Sequence, residues 1–270
     1  MIVAKALREA TQRLTETSDT ARLDAELLMA HALGTGRSDM LLRHMKDDTP
    51  VEFTSLVDRR ARQERVAYIV GYTEFFCRRF RVNSDVLIPR SDSESVVEAA
   101  LEVAPDRGRV LDMGTGSGAL LITLLAERTL LEGVGIDASL GAISVAAANA
   151  ARLQVAERLH MQKADWHEAG WADDLGRFDF IIANPPYVET SADLDLDVRD
   201  YEPAHALFSG EEGLDDYCAI IPQLRQLLTA EGLAVLEIGA SQAEQVSIGP
   251  RPEAGTRHKA YIVEVRRTAK

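Results

Sequence analysis

One stretch constrains the fold more than any other. Arg109-Val110-Leu111-Asp112, a short apolar run ending on a carboxylate, passes into Gly114-Thr115-Gly116-Ser117-Gly118 and then into an apolar helix expected over 119–126. A strand that turns into a helix within five residues needs backbone that side chains resist, and alternating glycines supply it. The rhythm continues downstream. Val134-Gly135-Ile136-Asp137 reads as a second strand, with a helix from Ser139 to about Leu153. Further strands are expected over 159–165, 178–183 and 233–238, with a helix over 214–228 before the last. Strands alternating with helices predict an α/β fold with a mostly parallel sheet covered on both faces. Such sheets take ligands outside the carboxyl ends of their strands, so the polar residues there matter most.

The first part of the chain reads differently. Val3, Ala6, Leu7, Ala10 and Leu14 follow a helical stripe, as do Leu23, Leu27, Ala30 and Leu33, with Ser18 or Asp19 as cap and Gly34 closing the second helix. Thr49-Pro50 opens a third helix bearing Phe53, Leu56, Val57 and Ala61. Tyr68-Ile69-Val70-Gly71 follows, and the alternation from Glu74 to Val82 predicts a hairpin. The expected organisation is a helical domain over 1–70, a hairpin linker over 71–90 and an α/β domain over 91–270.

No apolar run approaches the roughly 18 residues that span a bilayer, and the N-terminus gains charge too early for a secretory signal. Cys77 and Cys218 are too few for a zinc cluster and lie far apart in sequence, so a reducing cytoplasm and two buried, structural thiols are expected. No metal is called for. The net charge of −13 is uneven, since residues 1–85 hold 14 Lys+Arg against 13 Asp+Glu. The remainder repels phosphate, which argues against a nucleic-acid partner. Arg59, Arg60, Arg62, Arg65, Arg78, Arg79 and Arg81 form a local basic group, read here as solvated faces of a helix and a hairpin.

Gly114, Thr115, Gly116, Ser117 and Gly118, with Asp112 ahead of them, make a loop whose backbone can approach a ligand closely, and the next helix points free N–H groups at it. Asp137 ends the second strand roughly 20 residues on, where a carboxylate can accept hydrogen bonds from two ribose hydroxyls. Ser139 is free to cap the following helix instead. Asp165-Trp166 closes the third strand, where an adenine ring would lie, and Trp166 offers a wall for a flat ring.

Asn184-Pro185-Pro186-Tyr187 follows the apolar fourth strand directly. An amide or aromatic amine nitrogen is a weak nucleophile because its lone pair is delocalised. With the Asn184 side-chain oxygen on one N–H and the Pro185 carbonyl on the other, that nitrogen is held with its lone pair aimed at an electrophilic methyl. Proline fixes the backbone presenting the carbonyl. Tyr187 can stack on the planar group and favour a nearby sulfonium. The rate gain is one of positioning, with no metal and no strong base.

These segments resemble the PrmC/HemK family of glutamine-N5 methyltransferases, which modify the Gly-Gly-Gln loop of peptide chain release factors. The resemblance rests on 23–28 (Leu-Asp-Ala-Glu-Leu-Leu), 66–71 (Val-Ala-Tyr-Ile-Val-Gly), 86–90 (Val-Leu-Ile-Pro-Arg), 112–118, 184–187 and 211–215 (Glu-Glu-Gly-Leu-Asp). It implies a class I, Rossmann-like methyltransferase fold and S-adenosyl-L-methionine on the Gly114–Gly118 loop, Asp112, Asp137, Asp165 and Trp166, reaching Asn184. It further implies glutamine on Asn184, Pro185, Pro186 and Tyr187, a release factor held by the helical domain, and a cytoplasmic monomer with neither membrane nor direct nucleic-acid contact. Two departures stand out. Ser91-Asp92-Ser93-Glu94 replaces the usual Pro-Glu-Thr-Glu, keeping the terminal Glu. After Gly239 the chain is short: 241–247 hardly suffices for the usual helix, 249–252 (Gly-Pro-Arg-Pro) would break it, and 261–265 supplies a final strand.

The same four residues also suit the exocyclic amine of adenine, so an N6-adenine nucleic-acid methyltransferase is an alternative. Ten acidic side chains and one Arg between Glu189 and Asp216 oppose it, because they would face phosphate with like charge. Methylation of a ribosomal-protein glutamine is a second alternative, and a non-catalytic interaction module that keeps the fold a third.

Overall fold

The computed structural model describes residues 1–239, 242 and 246, together with the backbone of 259–264. It divides into two compact units. One comprises Met1–Tyr72 and Leu194–Tyr201, the other Thr73–Asp193 and Glu202–Lys270. The chain therefore leaves the second unit just after the Asn-Pro-Pro-Tyr segment, contributes eight residues to the first, and returns.

The first unit is helical. Helices α1 (Val3–Leu14), α2 (Ala21–Ala32), α3 (Arg37–Arg43), α4 (Phe53–Ala61) and α5 (Val66–Val70) enclose Val3, Leu7, Leu14, Leu28, Met29, Met40 and Phe53. Gly34 closes α2 in the left-handed conformation, as expected. The stripe expected on α2 is displaced, however. Leu23 is exposed, whereas Ala21, Asp24, Ala25, Leu28 and Met29 face inward. The reason is polar. Asp24 is buried because it accepts from Ser18 Oγ (2.7 Å), Thr20 Oγ1 (2.9 Å) and Arg60 Nε (2.7 Å). Ser18 is thus spent on Asp24, and α2 starts after Thr20 with neither Ser18 nor Asp19 as its cap. Arg60 is correspondingly not a solvated arginine but the buried partner of Asp24. Arg65 pairs with Asp197 of the returning segment at 2.9 Å, and Arg59 with Glu64.

The second unit opens with the tail of a hairpin, β1 (Tyr72–Phe75) and β2 (Arg78–Arg81), turned by Phe76 and Cys77 with positive φ. Helix α6 (Glu94–Val103), which the sequence pattern did not announce, leads to β3 (Arg107–Met113). Then come α7 (Ala119–Glu127), β4 (Leu130–Asp137), α8 (Leu140–Arg152), β5 (Leu159–Lys163), β6 (Phe178–Ala183), α10 (Asp215–Leu227), β7 (Leu228–Ile238) and β8 (Lys259–Glu264), with the short α9 (Leu196–Arg199) in the segment of the first unit. Strands β1 and β2 form a sheet of their own, and β3 to β8 form a second in the order β5-β4-β3-β6-β7-β8, in which every described pair is parallel. Successive residues of the central strands serve opposite faces. Val110, Phe180 and Ile182 pack with α6 and α7, while Leu111, Ile181 and Ala183 pack with α10.

Both cysteines are exposed, contrary to expectation. Cys77 sits at the tip of the hairpin turn, and Cys218 lies on the face of α10 opposite the buried Tyr217, Ile220 and Leu224. The final strand is found as β8, whereas Val265, the expected breaker at 249–252 and most of 241–247 lie outside the described residues. Among the described residues no helix is long and apolar enough to cross a membrane.

Candidate functional site

The order β4-β3-β6 fixes where the site lies. From β3 the chain proceeds to β4 on one side, whereas β6 joins β3 on the other, so crossovers diverge at β3/β6 and leave a crevice at their carboxyl ends. Met113 pairs with Ala183 at the last rung. The next residues of the two strands, Gly114 and Asn184, therefore leave the sheet side by side. A cavity of about 340 Å³ opens there, lined among others by Gly114, Thr115, Gly116, Ser117, Asp137, Asp165, Trp166, Asn184 and Pro186. These residues, gathered from four places in the sequence, thus meet in one crevice.

The loop is held by its backbone. Gly114 and Thr115 both donate to Ile136 O, at 3.0 and 2.8 Å, and Gly118 N–H closes onto Thr115 O at 2.7 Å. Gly116 stands at φ +53°, and a Cβ there would meet nothing nearer than Gly114 O at 4.0 Å. It would project into open space, so a ligand can lie directly on this backbone. Gly114 carries the edge of Trp166 at 3.2 Å from an added Cβ. Gly118 differs: it does not line the cavity, and a Cβ there would strike Ile122 Cδ1 at 2.5 Å. Its role is packing of α7 against α8.

Asp137 faces the cavity from the end of β4. Its Oδ2 accepts from Gly116 N and its Oδ1 from Ser139 N, both at 2.9 Å. Burial pushes its pKa up, while those two N–H groups and the charge of His205 pull against that rise. Ser139, not Asp137, caps α8, accepting from Ala142 N at 3.2 Å. Asp112 lies behind the loop and does not line the cavity. Its Oδ2 accepts from Thr115 Oγ1 at 2.6 Å; its Oδ1 has no hydrogen bond of normal geometry, although the Leu121 N–H bears weakly on the carboxylate. Burial raises its pKa to about 7, with Thr115 opposing and Asp137 adding to the rise.

At the other end, Asn184 is half-buried and its Nδ2 donates to Ser93 Oγ at 3.3 Å. Pro185 is buried outside the cavity lining, and Tyr187 stands back from it as well, packed with Tyr217, Ile238 and Val246. The exit of the segment is fixed by Val188 N to Leu207 O and Ser209 N to Val188 O, each 2.9 Å. Gly213 admits this backbone, since a Cβ there would lie 2.3 Å from Tyr187 O. Among the described residues no group of three or more His, Cys, Asp and Glu is arranged to hold a metal ion.

Residues 5–71 match the PrmC N-terminal domain and residues 105–246 a Methyltransferase domain. The release factor glutamine methyltransferase of Nitratidesulfovibrio vulgaris is 39% identical over 248 residues, covering 89% of this chain and 83% of its own length. That of Cereibacter sphaeroides is 42% identical over 254 residues, covering 92% and 89%. This chain belongs to the release factor glutamine methyltransferase family. Among solved structures, the ribosomal protein L11 methylase of Lactobacillus delbrueckii subsp. bulgaricus aligns with a TM-score of 0.40 and 23% identity, over 58% of this chain and 66% of that one.

Within this methyltransferase, four site-building residues escaped the sequence pattern. Asp216 accepts from Trp166 Nε1 at 2.8 Å and meets His167 Nε2 at 3.0 Å. Two aspartates at the start of a helix read as partners of its dipole, which hides that role. Glu202, its side chain fully buried, accepts from Arg90 Nη2 at 2.7 Å and Ile88 N at 3.3 Å and so holds the cavity wall at 86–90. Ser93 lay in a segment whose departure from the family drew attention only to its glutamate. Asn149 did leave a signal: with Ala142, Ala146 and Ala150 it lies on the buried face of α8. Its carboxamide donates to Ser117 O and Arg81 O and accepts from Arg81 N, tying the glycine loop and the hairpin to one helix.

Proposed function

We propose that this chain transfers a methyl group from S-adenosyl-L-methionine to the side-chain amide nitrogen of the glutamine in the Gly-Gly-Gln motif of peptide chain release factors. The observation that carries the reading is the adjacency of Gly114 and Asn184 at the paired ends of β3 and β6, facing one cavity. The relatives named above carry the same activity in their names and align along most of the chain. A cofactor lying directly on backbone fits the open approach at Gly116, the inward Asp137 carboxylate and the Trp166 ring.

When bound, S-adenosyl-L-methionine supplies an electrophilic methyl on a sulfonium. The remaining work falls to the chain. Each Asp137 oxygen is engaged by one backbone N–H and keeps a lone pair for a ribose hydroxyl. Asp165 and Trp166 seat the adenine. Thr115, Ser117 and Gly118 shape the loop, and Asp112 holds it from behind through Thr115. Asn184 Oδ1 accepts one hydrogen of the glutamine NH2; the Pro185 carbonyl, on backbone flanked by the cavity-lining Asn184 and Pro186 although Pro185 itself is buried outside the lining, accepts the other, which fixes the nitrogen for in-line attack. Pro186 walls the substrate entrance, whereas Tyr187, packed with Tyr217, Ile238 and Val246 outside the cavity lining, supports the segment from behind and does not supply the stacking face expected of it. As the amide becomes a secondary ammonium-like centre, its excess proton is shed to solvent.

Residues 1–70 hold the release factor, 71–90 link, and 91–270 carry the chemistry. The enzyme acts in the cytoplasm as a monomer, on protein and not on nucleic acid, a choice supported by the acidic run from Glu189 to Asp216. Incubation with a release factor and labelled cofactor, then mass spectrometry of the Gly-Gly-Gln peptide, tests the reading. One added methyl on the glutamine supports it; an unmodified glutamine with label elsewhere refutes it.

A further inference from the structure

We infer that Ser93 is a positioning residue for the methyl-transfer step, its hydroxyl turning the oxygen end of the Asn184 carboxamide toward the substrate. The inference rests on the amide methylation proposed above and assigns to Ser93 a task that neither matched domain contains, because residue 93 falls between 5–71 and 105–246.

A carboxamide has two ends of nearly equal size, so shape alone does not decide which one faces the cavity; hydrogen-bond partners do. If the nitrogen end faced a glutamine NH2, donor would meet donor and the grip would be lost. With the oxygen end facing the glutamine, Asn184 Nδ2 points away and needs an acceptor. Ser93 Oγ is that acceptor, at 3.3 Å. Ser93 is 3% exposed and lines the same cavity as Asn184.

The hydroxyl is available for this because it does not cap. Ser93 occupies the N-cap position of α6, where a serine side chain ordinarily accepts from the backbone one turn on. Here a 3-10 turn over Ser91–Ser93 runs into α6, leaving Ser93 at φ −68° and ψ −12° with no side-chain cap bond. Its backbone is also well anchored. Ser93 N donates to Arg90 O at 3.1 Å, Arg90 is held by the buried Glu202, and the adjacent Glu94 accepts from Phe76 N at 2.7 Å. The partner for Asn184 is thus held in place from both sides: a hydroxyl can accept or donate, and with a substrate NH2 in front only acceptance from Nδ2 leaves the oxygen end free to receive it.

The test compares Ser93→Ala, Ser93→Thr and Ser93→Val in the full chain with a release factor as substrate. Thr and Val share a shape and differ by the hydroxyl. Ala and Val are expected to lower kcat roughly 5- to 100-fold, the factor for one buried donor left unsatisfied, with the cofactor Kd unchanged and little change in KM. Thr is expected to keep kcat near wild type. In isotope-labelled protein, the side-chain NH2 signals that vanish in Asn184→Ala should shift in Ser93→Val and stay in place in Ser93→Thr. Equal kcat for the Thr and Val variants, or unmoved NH2 signals in Ser93→Val, overturns the inference. A wild-type chain that leaves the release factor unmodified overturns the proposed function and this inference together, whereas wild-type transfer with an unimpaired Ser93→Ala overturns this inference alone.

Discussion

The indole N–H of Trp166 donates to Asp216 Oδ1 at 2.8 Å, so the ring at the end of β5 is oriented by the first turn of a helix 50 residues further along the chain. Asp216 is itself set by Ser209, whose hydroxyl donates to Oδ2 at 2.6 Å and accepts from Asp216 N at 2.8 Å. Replacing Asp216 by Ala leaves the indole N–H only the exposed His167 Nε2, at 3.1 Å, and loosens the ring. Cofactor binding should weaken by about 1–2 kcal/mol, the value of one hydrogen bond to a charged group, with Asp216→Asn in between. Calorimetry measures this directly, and an unchanged Kd in Asp216→Ala would mean that Trp166 does not form the cofactor wall.

Two glycines of one loop should fail in different ways. Gly118→Ala drives a Cβ into Ile122 at a left-handed backbone position, so a loss of about 1–3 kcal/mol in denaturant unfolding is expected. Gly116→Ala meets no protein atom within contact distance, and only the left-handed strain of about 1 kcal/mol opposes it. Its methyl instead enters the cavity, so cofactor binding should fall sharply while the protein stays folded. Wild-type affinity in Gly116→Ala would remove the cofactor from that backbone.

Asp112 gives the pH dependence of stability an unusual component. Its folded-state pKa is raised to about 7 by burial, above its ordinary value of 3.8. Below about pH 4 both folded and unfolded states hold the proton and the group contributes nothing. As pH climbs toward about 7 the unfolded chain has released its proton while the folded one retains it, so stability falls; above about 7 both are ionised and the penalty is complete. In Asp112→Asn that component is absent. The stability of the variant relative to wild type should therefore improve steadily from about pH 4 to about pH 7 and then level off. Urea unfolding across this range checks it, and a difference that does not vary with pH would contradict the burial argument.

Sequence pattern was a good guide where apolar periodicity and glycine chemistry decide structure. The strand over 178–183 is found at its expected ends, and the loop at 114–117, Asp137 and Asn184 share one cavity, with Gly118 left out of it. It was a poor guide where buried polar groups decide. Asp24 turned α2 so that Leu23 faces solvent, and Arg60, expected in water, is the partner that made this possible. Asp216, Glu202 and Ser93 act through contacts with residues 50, 112 and 91 positions away, a separation at which local periodicity carries no information. The family resemblance covered this gap for the reaction but not for Ser93, whose hydroxyl matters through geometry alone.

The central claim is that Asn184 and Pro185 activate an amide nitrogen by gripping both of its hydrogens. The most direct measurement sets the single-turnover rate of transfer to a release factor beside the cofactor Kd, in wild type and in Asn184→Ala. The account predicts a rate lower by about 100-fold or more, typical of losing one group that acts in the transition state, with the Kd close to wild type. A near-normal rate in Asn184→Ala, or a loss explained entirely by weaker cofactor binding, would contradict it.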